Sequence, residues 1–159
     1  MALNAASKSE NLLLSFCKHL YDNVGASFRN KINYLQERWS PENQTTWAEV
    51  DWLKGADGYC KKPWLVSIVV YSRPEEDEFA HAHRELMDVI KAALNSTSVS
   101  IYDFGATDLT RANPVDTTLS FYPLPNGGEE PVSDLVGGNI RGTRIVYKCF
   151  SVRPDMWGA

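Results

Sequence analysis

Trp64-Leu65-Val66-Ser67-Ile68-Val69-Val70-Tyr71 is an almost unbroken apolar, β-branched run. It leads directly into Ser72-Arg73-Pro74-Glu75 and a charged stretch ending near Asn95. Eight such residues predict a strand covered on both faces, and therefore one central in its sheet. Pro63 stands just before it, where a missing N–H does little harm. Ser72-x-x-Glu75 has the form of a capping box with Pro74 in the first turn. Glu75, Glu76, Asp77 and Glu78 put negative charge at the positive end of a helix dipole. Phe79, Ala82, Leu86, Met87, Ile90, Ala93 and Leu94 then recur at helical spacing. A helix over 75–95, laying that stripe on the sheet, is the expectation.

Working outward, Ser7-x-x-Glu10 is a second capping box. Leu12, Leu13, Phe16, Cys17, Leu20, Tyr21 and Val24 form a continuous stripe, and Gly25 suits the left-handed position past a helix end. This predicts a helix over 8–24. Ile32, Tyr34, Leu35 and Trp39 permit a strand. Thr46–Leu53 alternates, with Trp47, Glu49 and Asp51 on one face and Ala48, Val50 and Trp52 on the other, so an antiparallel pair is expected within 26–62. Strands are also expected at Val99–Phe104, Thr117–Tyr122 and Gly142–Val152. Residues 123–141 are rich in Gly and Pro and read as one long loop, and loops of that length are usually functional. Residues 1–7 and 153–159 read as flexible ends. The fold class is α/β (α+β), with a mixed, largely antiparallel sheet packed against two amphipathic helices.

The chain has 159 residues, the size of a single domain, and is 43% hydrophobic and 23% charged. A chain of that length buries roughly 70% of its unfolded surface and needs no staples. The net charge of −4 argues against a dedicated nucleic-acid binder, which carries a basic excess. Cys17, Cys60 and Cys149 are odd in number and irregularly spaced, so they read as free thiols in a reducing compartment. The N-terminus lacks the pattern of a signal peptide, and no apolar run is long enough to span a bilayer. A soluble cytosolic chain is the expectation.

No constellation with catalytic, cofactor-binding or metal-binding spacing emerges. His81 and His83 sit two apart inside a predicted helix, about 200° around its axis, so their rings point to opposite sides. The 75–78 acids are explained by the helix N-terminus. Gly137-Gly138-Asn139-Ile140-Arg141-Gly142 lacks the G-K-[ST] ending of a phosphate loop and precedes a strand. Cys60 beside Lys61-Lys62 has no histidine nearby in sequence. Trp39, Trp47, Trp52 and Trp64 crowd one span, where core packing is the ordinary explanation, but Trp is also enriched at interfaces. The candidate contact residues are Trp47 and Trp52, together with Asn126, Glu129, Glu130, Arg141 and Arg144.

The order of elements resembles that of the tail terminator, or tail completion, proteins of long-tailed bacteriophages. The residues that carry the resemblance are Pro63–Arg73, Glu85-Leu86-Met87-Asp88-Val89-Ile90, Ser98–Phe104 and Thr143-Arg144-Ile145-Val146-Tyr147-Lys148, within a span of about 8–152. The chain departs from the pattern in its Trp-rich 39–64 span and its 123–141 segment. The resemblance implies a virion structural protein located in the tail or neck and assembled in the host cytoplasm. It implies a homo-oligomer, a hexameric ring capping the tail tube, with the major tail tube protein and the head–tail connector or stopper as partners. It further implies that DNA passes through the channel without sequence-specific binding, with no membrane involved, no cofactor and no enzymatic activity. Another neck component is one alternative. A small cytosolic enzyme with a dispersed site at Cys60, Asp103 and Arg144 is the alternative of a different class.

Overall fold

Helix α1 (Ser9–Asn23) is followed by a single turn, α2 (Ala26–Arg29). Between them Gly25 takes φ 88°, a left-handed value that suits glycine because it has no Cβ. The strands are β1 (Ile32–Asn33), β2 (Thr46–Lys54), β3 (Trp64–Ser72), β4 (Ser98–Asp103), β5 (Asn113–Pro123), β6 (Glu129–Val132) and β7 (Arg141–Ser151), with helix α3 (His81–Ala93) between β3 and β4. The computed structural model describes residues 9–34, 39–41, 43–54, 64–95, 98–103, 113–123, 129–132 and 139–151. The expected Ser7 cap and the flexible ends at 1–7 and 153–159 lie outside them.

The strands form one mixed, largely antiparallel sheet in the order β1-β2-β3-β7-β5-β4, with β6 also on β7. Strand β3 is central, as its composition requires. It pairs with β2 from Thr46↔Ser72 to Lys54↔Leu65, and with β7 from Trp64↔Cys149 to Ser72↔Arg141. Ser67, Val69, Val66, Ile68 and Val70 are all buried, so both of its faces are covered.

The hydrophobic core takes its strand residues from one face: Ala48, Val50, Val66, Ile68, Val70, Ile145, Tyr147 and Cys149, with Val99 and Ile101 of β4. Leu13, Phe16, Cys17 and Leu20 of α1 and Leu86, Met87, Ile90 and Ala93 of α3 close over them. Ser15 Oγ accepts the Tyr102 N–H at 2.9 Å, tying α1 to β4.

Three expectations are corrected. Among the described residues, no antiparallel pair forms within 26–62. Strand β1 is only two residues long and runs parallel to β2, which pairs antiparallel with β3 instead. The 123–141 segment is not one loop, because Glu129–Val132 adds to the β7 edge in register Glu129↔Ile145 to Val132↔Gly142. The second long helix does not begin at 75. Pro74–Glu76 and Glu78–Ala80 are separate 3-10 turns, and the α-helix starts at His81.

That late start has a local cause. Ser72, the expected cap, is turned inward against His83 and caps nothing. The cap is Asp77, only 5% exposed, whose two carboxylate oxygens accept the N–H groups of Ala82 (2.7 Å) and His83 (3.0 Å). Reaching back over the first turn in this way satisfies two of the donors that every helix leaves open. The chain between Asp77 and His81 folds through left-handed backbone at Phe79 (φ 58°) and Ala80 (φ 55°). For residues with a Cβ this conformation costs roughly 1–2 kcal/mol each.

Candidate functional site

The titratable groups singled out by sequence fall into two sets. Cys17 and Cys149 are buried, and desolvation raises both thiols, that of Cys17 to about 12. Neither is a thiolate nucleophile near neutral pH. Cys60 and the Asp103 side chain lie outside the described residues. Among the described residues no three His, Cys, Asp or Glu side chains converge on a metal position.

His81 and His83 do point to opposite sides of α3. His81 is exposed and sits 3.5 Å from Glu85 one turn on. His83 is buried, with Nδ1 3.0 Å from Ser72 Oγ and Nε2 2.9 Å from Thr143 Oγ1. Its imidazole therefore joins α3 to β3 and β7. Burial lowers its pKa first, the nearby Arg141 charge lowers it further, and Asp77 acts in the opposite direction. His19 is lowered by burial as well, opposed by the hydrogen bond that its Nε2–H donates to the Ala93 carbonyl oxygen at 3.0 Å and by the Asp22 charge.

The aromatic candidates separate. Trp47 is only 4% exposed. Its ring stacks on Tyr71 (centroids 5.5 Å, planes 23° apart), and the Arg73 guanidinium lies 4.9 Å from the ring centre. Arg73 is itself held by the carbonyls of Gln44 and Pro41, at 3.1 and 3.4 Å. The expectation that Trp47 meets a partner gives way to an internal stack, because the β2–β3 register sets it directly beside Tyr71. Trp52 lies in β2, with its side chain outside the described ones, and Asn126 is outside the described residues.

The charged candidates come together. Glu129 of β6 meets Lys91 of α3 at 2.6 Å. Glu130 meets Arg144 of β7 at 3.3 Å, across the register that pairs them. The Arg144 Nε is buried without a hydrogen-bond partner. Arg141 begins β7 and is exposed. A cavity of about 310 Å³ lies between helix and strands, lined by His83, Met87, Lys91, Glu129 and Thr143 among others. Strand β6 and the outer side of α3 therefore form one continuous surface.

At one end of α3 stands the residue that sequence reasoning misplaced. Phe79, counted in the stripe facing the sheet, is 82% exposed. Helical periodicity places it inward only if the helix already runs through 79, and it does not. The missed signal is Asp77 within the acid run: an aspartate five and six residues before two backbone N–H groups is a remote cap, indistinguishable in sequence from its neighbours Glu76 and Glu78. The Arg84 Nη2 donates to the Phe79 carbonyl at 2.6 Å and holds the bend.

No protein-family model matches the chain, and no curated protein matches it either. None of the described helices is long and apolar enough to cross a membrane.

Proposed function

We propose that this chain is a virion structural protein of the tail-terminator type. Its subunits form a ring, expected to be hexameric, that caps the completed tail tube, stops its polymerisation and joins the tail to the head connector. The ring works by surface contact and carries out no catalysis, and DNA passes through its channel. The observation that supports this reading best is the order and packing of the elements: an amphipathic helix, a hairpin ending in a doubly covered strand, a second amphipathic helix, and a closing strand inside a largely antiparallel sheet. The resemblance rests on a helix, an irregular β region, a buried strand, a long amphipathic helix, a strand, a loop-rich stretch and a closing strand, and these elements share its helices, its buried strand and its closing strand. The α3–β6 surface adds to it, since charged groups held in fixed positions, Lys91 with Glu129 and Arg144 with Glu130, suit contact between subunits.

The test is the mass of the assembly in solution and its effect on tubes. Native mass spectrometry is expected to give a six-fold mass, and added protein is expected to bind tube ends and halt their growth. In a phage carrying this gene, deletion is expected to give overlong or headless tails. A sample that stays monomeric at high concentration and leaves tube growth unchanged refutes the proposal.

A further inference from the structure

Strand β6 adds little to its own subunit. It is four residues long, with Glu129, Glu130 and Pro131 exposed and Val132 half-buried. None of its side chains belongs to the hydrophobic core, so apolar burial does little to hold it. What places it is a ladder along one edge and one acid on each face. Glu129, opposite Ile145, reaches Lys91 on the helix side at 2.6 Å. Glu130, its neighbour, points to the other face and reaches Arg144 at 3.3 Å. Both pairs are partly exposed, and pairs of that kind fasten weakly. The fit is also incomplete within one chain. Glu130 meets Arg144 through Nη1, while the Arg144 Nε is buried without a hydrogen-bond partner. A carboxylate on the Nε side of the guanidinium would supply it.

Resting on the ring reading, we infer that β6 is the strand exchanged between neighbouring subunits. In the assembled ring each copy lays Glu129–Val132 on the β7 edge of the next copy, in the register it holds within one chain. The receiving edge is complementary to this segment: Lys91 stands on one face for Glu129 and Arg144 on the other for Glu130. The chain also has the length for it. Strands β5 and β7 are antiparallel neighbours, which a turn of about two to five residues can join, yet residues 124–140 lie between them. The shorter of the two stretches flanking β6, residues 124–128, reaches up to about 17 Å when extended. Exchange of an identical element replaces each contact with the same contact from another copy, so it is a low-cost route to association. Each copy gives its strand to one neighbour and receives one from the other, a head-to-tail contact that closes into a ring when the rotation between copies allows. Pro131 suits this role. Proline is tolerated at an edge where its missing N–H would face solvent, and such an edge does not recruit a further strand.

The experiment places a disulfide across the register. Glu130→Cys with Arg144→Cys, in the full chain carrying Cys60→Ser, sets two thiols directly opposite each other on β6 and β7, a separation that a disulfide bridges. After assembly and mild oxidation, a non-reducing denaturing gel is expected to show covalent multimers up to the ring, and each single-cysteine variant only monomer. Charge variants at exposed positions give a second readout and decide alone if the cysteine pair prevents assembly. Glu129→Lys and Lys91→Glu are each expected to weaken self-association at least about fivefold, followed by native mass spectrometry on dilution. Mixing the two is expected to restore it, because each variant's strand then meets its opposite charge on the other's helix. If the disulfide closes within one chain, or none forms in an intact ring, or the mixture associates no better than its components, the inference is overturned and the ring reading stands. If the unsubstituted chain is monomeric throughout, both fall.

Discussion

Replacing Asp77 with alanine tests why the second long helix starts where it does. The substitution deletes the acceptor of two backbone N–H groups, at 2.7 and 3.0 Å, from a position 5% exposed. A helix cap is ordinarily worth about 0.5–2 kcal/mol, and a buried donor left without its acceptor costs about 1–3 kcal/mol. Two such donors set a gross loss of roughly 2–6 kcal/mol. Against this, the bend at Phe79 and Ala80 no longer has a cap to serve. If it rewinds into helix, it recovers roughly 1–2 kcal/mol per residue. The net expectation is a loss of about 1 kcal/mol, read as a lower urea midpoint with unchanged slope, together with a rise in far-UV helical signal as residues 74–80 join α3. Asp77→Asn keeps one carbonyl oxygen and loses about half as much. The decisive readout is a double-mutant cycle: Phe79→Gly stabilises the unsubstituted chain but not the Asp77→Ala chain, whose bend has already relaxed. A loss under ~0.5 kcal/mol, with Phe79→Gly equally stabilising in both backgrounds, refutes the account.

Leu86→Ala empties a fully buried position against the sheet and is expected to cost about 2–5 kcal/mol in denaturant unfolding; a change below ~1 kcal/mol shows that α3 packs differently. His83 and His19 both have pKa values below the ordinary 6.5. The unfolded chain therefore binds more protons, so stability is complete above about pH 6.5 and falls as pH drops through the lowered folded values. His83→Gln is expected to flatten that fall, and an unaltered pH profile rules His83 out as its source. Cys17 and Cys149 are expected to resist thiol reagents in the native state at pH 8 and to react on unfolding; rapid native labelling of either contradicts their burial. Removing Glu130 and Arg144 singly and together is expected to yield a coupling no larger than about 1 kcal/mol, since the two side chains are partly exposed, 34% for Arg144 and 53% for Glu130, and a much larger coupling places the pair inside a buried network.

Where burial follows backbone period, the sequence was legible. Leu13, Phe16, Cys17 and Leu20 line one side of α1, and Leu86, Met87, Ile90 and Ala93 one side of α3, as their spacing requires. The alternation of Trp47, Glu49 and Asp51 against Ala48 and Val50 matches the register on β3. What escaped was set by contacts distant in sequence. Nothing local distinguishes a strand at Ile32 that pairs antiparallel from one that lies parallel to β2. Glu129-Glu130-Pro131-Val132 has neither alternation nor strand propensity, and is a strand because the free edge of β7 receives it; its proline and acids suit an edge position. Phe79 and Trp47 exchanged expected roles for the same reason. The periodicity that buries Phe79 holds only for an uninterrupted helix, and Trp47, despite its polar neighbours in sequence, is covered by Tyr71 and Arg73.

The position of β7 has a consequence for how this chain comes into being. Synthesis delivers β1 to β3 first, then β4 to β6, and only afterwards the strand that joins the two groups, pairing with β3 along one edge and with β5 and β6 along the other. Until residues 141–151 clear the ribosome, β3 waits with an open edge and a run of valines, the kind of surface that attracts other chains. Closure depends on contacts between residues more than seventy positions apart, such as Val66 with Tyr147, so folding is expected to be slow for a chain of this size. The nascent chain is accordingly most vulnerable to aggregation just before its closing strand is available, and a shortened product lacking β7 would lose the joint between the two halves of the sheet along with a strand.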